Sequence, residues 1–67
     1  MKHDLLPNQT VRRHAKKNGV RIYELGDVLG VSQATITRKL RYEMGEADTN
    51  RYIAAINTII DRRAAGA

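Results

Sequence analysis

The chain has no cysteine in its 67 residues, so no disulfide can staple it. It has two histidines, His3 and His14, far apart in sequence and with no carboxylate cluster at metal-ligand spacing beside either. No glycine-rich stretch has the pattern that cradles a phosphate. The acidic residues are scattered at surface or capping positions. These absences point away from an enzyme, a metal, a cofactor or a small-molecule substrate. No apolar run approaches the roughly 20 residues needed to cross a bilayer. The opening Met1-Lys2-His3-Asp4-Leu5-Leu6-Pro7 lacks the apolar core of a signal peptide. The expectation is a soluble, cytoplasmic protein with no membrane partner, and the lack of cysteine fits a reducing compartment.

A chain this short has room for one domain, residues 1–67. Folding hides only about 60% of the surface that an unfolded chain of this size exposes, so stability is marginal. Compact helix packing, a partner, or both must make up the difference.

What the chain does have is positive charge. Twelve Lys and Arg stand against seven Asp and Glu, a net +5. One basic group is Arg12, Arg13, Lys16, Lys17 and Arg21. A second is Arg38, Lys39 and Arg41, with no acid between Val31 and Tyr42. Such a surface attracts polyanions, nucleic acid above all. Charge alone is equally consistent with a solvated face kept for solubility.

Apolar spacing reads as helix throughout. Asn8 is the expected N-cap of a first helix, Gln9 to Lys17, with Val11 and Ala15 on one face and Asn18-Gly19 as its stop. Ile22, Leu25, Val28 and Leu29 mark a second helix, ended by Gly30. Gly26 lies inside it, where glycine costs about 1 kcal/mol relative to alanine; close approach of another helix backbone would explain it. Val31 is expected to plug the turn. Ser32 caps a third helix from Gln33 to Arg41 or Tyr42, with Ile36 and Leu40 facing inward. A turn this short forces two helices to cross steeply. Glu43 to Glu46 reads as a connector. A last helix, capped by Asp48 or Thr49, runs to about Arg63 with Tyr52, Ile53, Ile56, Ile59 and Ile60 as its stripe. Arg62 and Arg63 suit the negative end of its dipole, and Ala64 to Ala67 is expected to fray. The predicted fold is all-α: a small orthogonal bundle of four or five helices, with a core of Val11, Ala15, Val20, Leu25, Leu29, Ile36, Leu40, Ile53, Ile56 and Ile60.

The stretch Leu-Gly-Asp-Val-Leu-Gly-Val-Ser-Gln-Ala-Thr-Ile-Thr-Arg-Lys-Leu, from Leu25 to Leu40, resembles the helix-turn-helix of the lambda-repressor-like, XRE-type DNA-binding family. From Asn8 onward the chain is similar to short one-domain members carried by prophages and conjugative elements, through Ala15 to Val20, the Arg38 to Arg41 run and the closing helix. The resemblance implies a lambda-repressor-like helix-turn-helix over about residues 22–41 and a role in transcription regulation. Two positions depart from the family pattern. Gly26 stands where alanine is commoner, and Ile22-Tyr23 stands where many members carry a phosphate-holding glutamine, a contact that the Tyr23 hydroxyl could replace.

The reading face follows from geometry as well. Successive helical residues turn by about 100°. With Ile36 and Leu40 inward, the outward face carries Ala34, Arg38 and Arg41, flanked by Thr35, Thr37 and Tyr42, with Gln33 at the leading end. Glutamine can pair with adenine and arginine with guanine through two hydrogen bonds each, and Ala34 or a threonine methyl can meet the thymine methyl. Gln33, Ala34, Thr35, Thr37, Arg38 and Arg41 are therefore the expected base-reading set for double-stranded DNA, with Arg38 foremost. Arg21, Tyr23, Ser32, Lys39 and Tyr42 are the expected phosphate contacts, Ser32 because amides at a helix start suit an anion. Each residue alone is more readily an ordinary surface or capping residue; the argument rests on the set. A homodimer would multiply base contacts, and Tyr52, Ile59 and Ile60 are either its interface or part of the monomer core. The competing reading is a protein-interaction module without DNA reading, an accessory or antitoxin-like partner. That module would expose a large apolar patch.

Overall fold

A computed structural model of the chain describes residues 6–66. His3, the rest of the opening segment through Leu5, and Ala67 of the expected frayed end lie outside the described residues. Among the described residues there are four helices and no strand: α1 (Gln9–Lys17), α2 (Ile22–Leu29), α3 (Gln33–Leu40) and α4 (Glu46–Gly66). None is long and apolar enough to cross a membrane. α4 packs on α1 and α2, and α2 packs on α3.

The core is Val11, Val20, Leu25, Ile36, Leu40, Tyr52, Ala55, Ile56 and Ile59. Ala15, Leu29, Ile53 and Ile60, also expected inside, pack at its edge, as do Ile22, Val28 and Met44. On α4 the buried residues are Tyr52, Ala55, Ile56 and Ile59, an i, i+3, i+4, i+7 stripe. Tyr52 and Ile59, expected either at a dimer interface or in the monomer core, are 4% and 5% exposed. They close this chain's own core, and burial pushes the Tyr52 phenol pKa up.

Several local expectations change. α4 begins at Glu46 rather than at a cap on Asp48 or Thr49, because the Gly45 carbonyl accepts the Thr49 amide at 2.9 Å and closes a first turn there. Glu46 and Asp48 then sit in that first turn, where negative charge is favoured. α4 also continues through Ala64 and Ala65 to Gly66, in keeping with the high helix propensity of alanine. α3 ends at Leu40 because the Leu40 carbonyl is taken by two side chains, Asn8 Nδ2 at 3.1 Å and Arg12 Nη2 at 2.8 Å.

Asn8 is not a side-chain cap. Its backbone is left-handed (φ 61°, ψ 42°) and its side chain makes no cap hydrogen bond. Asparagine tolerates that region better than most residues, and the side chain turns instead toward the α3–α4 connector. Val31 does not plug the turn either; it is 39% exposed. The turn closes through backbone, with the Gly30 and Val31 amides donating to the Gly26 carbonyl at 2.8 and 3.0 Å. Gly30 takes the left-handed conformation (φ 73°) that ends α2.

Gly26 does mark a close approach, but to this turn rather than to another helix. A Cβ built there would lie 2.7 Å from the Val31 carbonyl oxygen. Only a hydrogen fits, so α2 and the Val31 backbone can touch.

Candidate nucleic-acid interface

Gly30, Val31 and Ser32 alone separate α2 from α3. Ser32 has extended backbone and its Oγ accepts the Thr35 amide at 3.2 Å, the N-cap expected from sequence. Its Oγ also lies 3.0 Å from the Thr35 hydroxyl. Ile36 and Leu40 are buried beneath α3, which leaves the other side of the helix to solvent.

That outer side brings most of the expected base-reading set together. Gln33, Ala34, Thr37, Arg38 and Arg41 are exposed and line one shallow hollow. Thr35 is not among them. It is half-buried, tied to Ser32, and lines a neighbouring hollow with Arg38, Lys39 and Tyr42. Neither Arg38 nor Arg41 has a carboxylate partner among the described residues. Their charge is available to a polyanion without first breaking an ion pair.

The expected phosphate contacts are more scattered. Lys39 Nζ lies 3.4 Å from Asp48 on α4. Both side chains are well exposed, so the pair is worth about 0–1 kcal/mol and a phosphate can compete for the lysine. Tyr42, just past α3, is 73% exposed, and Tyr23 on α2 is 58% exposed. Arg21 precedes α2, with its amide donating to Glu24 Oε1 at 2.9 Å. It shares the rim of an apolar hollow with Arg12 and Lys16.

Other basic residues prove to be structural. Arg63 donates to both Glu24 carboxylate oxygens at 2.8 Å and to the Asn18 and Gly19 carbonyls at 2.9 and 3.0 Å. It fastens the end of α4 to the α1–α2 turn, a role beyond complementing the helix dipole. The Arg21 amide and the Arg63 guanidinium hold the Glu24 carboxyl below its ordinary pKa, against the opposing effect of burial. Arg12 belongs not to a free basic face but to the exit of α3. His14 Nε2 lies 2.9 Å from Asn57 Oδ1 and joins α1 to α4. Among the described residues no group of three or more His, Asp or Glu side chains converges as a metal site would.

Asn8 and Arg12 are the residues that sequence reading missed at this site. Their partners at the end of α3 and on the α3–α4 connector lie some thirty residues away, and no local pattern announces such a contact. Compared with protein-family models, with characterised proteins and with solved structures, the chain matches none.

Proposed function

We propose that this chain is a single-domain, non-enzymatic helix-turn-helix protein that binds double-stranded DNA sequence-specifically and regulates transcription in a phage or mobile element. α2, the Gly30–Ser32 turn and α3 form the helix-turn-helix, and α3 enters the major groove. The observation that carries this reading is the outer face of α3. Gln33, Ala34, Thr37, Arg38 and Arg41 share one exposed hollow, and these residue types suit base edges. The start of α3, with Ser32, and the more scattered Arg21, Tyr23, Lys39 and Tyr42 hold the backbone. The lambda-repressor-like resemblance of Leu25 to Leu40 agrees with it.

The interaction-module reading finds less support on this face. The large apolar side chains most exposed among the described residues are Leu6, Tyr23, Val31 and Tyr42, none of them within α3. Two-fold pairing on a palindromic site remains part of the proposal, through surfaces other than Tyr52 and Ile59.

The test is an amide NMR titration with a generic duplex at low and at physiological salt. Shifts centred on residues 33–42 that shrink as salt rises are the expected result. Unmoved spectra at low salt would sink the DNA reading and redirect the search to a protein partner.

A further inference from the structure

Eight polar atoms converge on the exit of α3. Asn8, 2% exposed, donates through Nδ2 to the Leu40 and Tyr42 carbonyls at 3.1 and 2.9 Å. Its Oδ1 accepts the Met44 amide at 2.8 Å, and its own amide donates to Glu43 Oε1 at 3.0 Å. Arg12 adds Nη2 to the Leu40 carbonyl at 2.8 Å and anchors itself through Nε to the Pro7 carbonyl at 2.7 Å. Both side-chain donors of Asn8 and its acceptor are therefore used on one short stretch of backbone. α3 has only eight residues, far too few to hold its last turn by itself. Arg41 lies between the two carbonyls that Asn8 grips. A buried amide satisfied on every side selects one backbone arrangement, which an apolar plug would not. The left-handed backbone of Asn8 (φ 61°), which asparagine adopts more readily than most residues, turns its side chain onto this stretch instead of onto the first turn of α1.

We infer that Asn8 and Arg12 are positioning residues for DNA reading: they fix the backbone on either side of Arg41 and so aim its guanidinium at a base edge, without touching DNA themselves. This rests on the DNA-reading proposal above. It makes selectivity depend on Asn8, just before α1, and Arg12 within it, both outside the helix-turn-helix.

The test uses the duplex that the wild-type protein enriches from a randomised pool, and a scrambled duplex of the same composition. Affinities are measured at one salt concentration and at a temperature where circular dichroism shows each variant folded. Asn8→Asp keeps the size and the acceptor for Met44, but turns an oxygen toward two carbonyl oxygens. Its selectivity between the duplexes is expected to fall roughly 5- to 50-fold, on the scale of one base contact. Affinity for the scrambled duplex should change less than about twofold, since phosphate contacts dominate it. Adding Arg41→Ala to Asn8→Asp should cost little more, because the same contact is already lost. Arg12→Gln, which keeps the stem, should shift selectivity the same way, and it decides the matter if Asn8→Asp does not fold. Equal loss on both duplexes, unchanged selectivity, or additive effects with Arg41→Ala would each overturn the inference, leaving Asn8 and Arg12 as residues that only hold the fold. A wild-type protein that enriches no duplex would overturn the DNA-reading proposal itself.

Discussion

Gly26 sets two residue-scale effects against each other. Alanine in a helix interior is favoured over glycine by about 1 kcal/mol. A methyl group at Gly26, however, would stand 2.7 Å from the Val31 carbonyl oxygen. That backbone cannot easily retreat, because the Gly30 and Val31 amides both bond the Gly26 carbonyl. Overpacking of this kind costs typically 1–3 kcal/mol, so the clash wins. Gly26→Ala is expected to lower stability by about 1 kcal/mol, or roughly 4–8 °C in Tm for a chain this size. Gly45, where a Cβ would meet nothing within 4 Å, is the control, and Gly45→Ala should show no loss from steric conflict. A thermal melt of Gly26→Ala at or above the wild-type Tm would mean that the turn is looser than this contact requires. The glycine was legible in sequence as a close approach, since its propensity cost needs an explanation. Its partner was not, because spacing along one helix says nothing about where the next turn places its carbonyl.

The same division holds between elements. α1, α2 and the start of α3 follow from signals within a few residues: apolar pairs at i, i+4, Gly30 as a stop and Ser32 as a cap. The outer face of α3 follows from the same periodicity, which is why most of the expected reading residues do lie together. The clasps between elements follow from nothing local. Asn8 to Met44 and Arg63 to Glu24 join residues 36 and 39 positions apart. The Arg63 clasp has a pH signature. Glu24 titrates below its ordinary value in the folded chain, first through the Arg21 amide and then through Arg63. A carboxyl with a lowered folded pKa adds stability in full above its unfolded pKa and loses it as pH falls through the folded value. Denaturation midpoints measured from about pH 6 down to about pH 3 should therefore fall at the acid end. Glu24→Gln should start lower at neutral pH and fall less steeply. Parallel pH curves for the two proteins would show that Glu24 contributes nothing through its ionisation.

Across the whole molecule, net charge should make salt act with opposite signs on folding and on the proposed DNA binding. Twelve cations against seven anions leave +5 on 67 residues. The ion pairs among the described residues, Lys39–Asp48, Arg51–Asp48 and Arg63–Glu24, include exposed pairs of small worth. Screening should therefore relieve more repulsion than it removes attraction. A relief of about 0.5 kcal/mol would raise Tm by roughly 2–4 °C in a chain this small. DNA affinity should move the other way. If about three cations meet phosphates, the slope of log K against log salt is near −2.7, or roughly a 40-fold loss between 50 and 200 mM. Melts and anisotropy titrations over one salt series read both signs on the same sample. Affinity and Tm falling together would mean that salt weakens binding by loosening the fold. Affinity falling while Tm holds or rises would leave counterion release from the basic face of α3 and its neighbours as the cause.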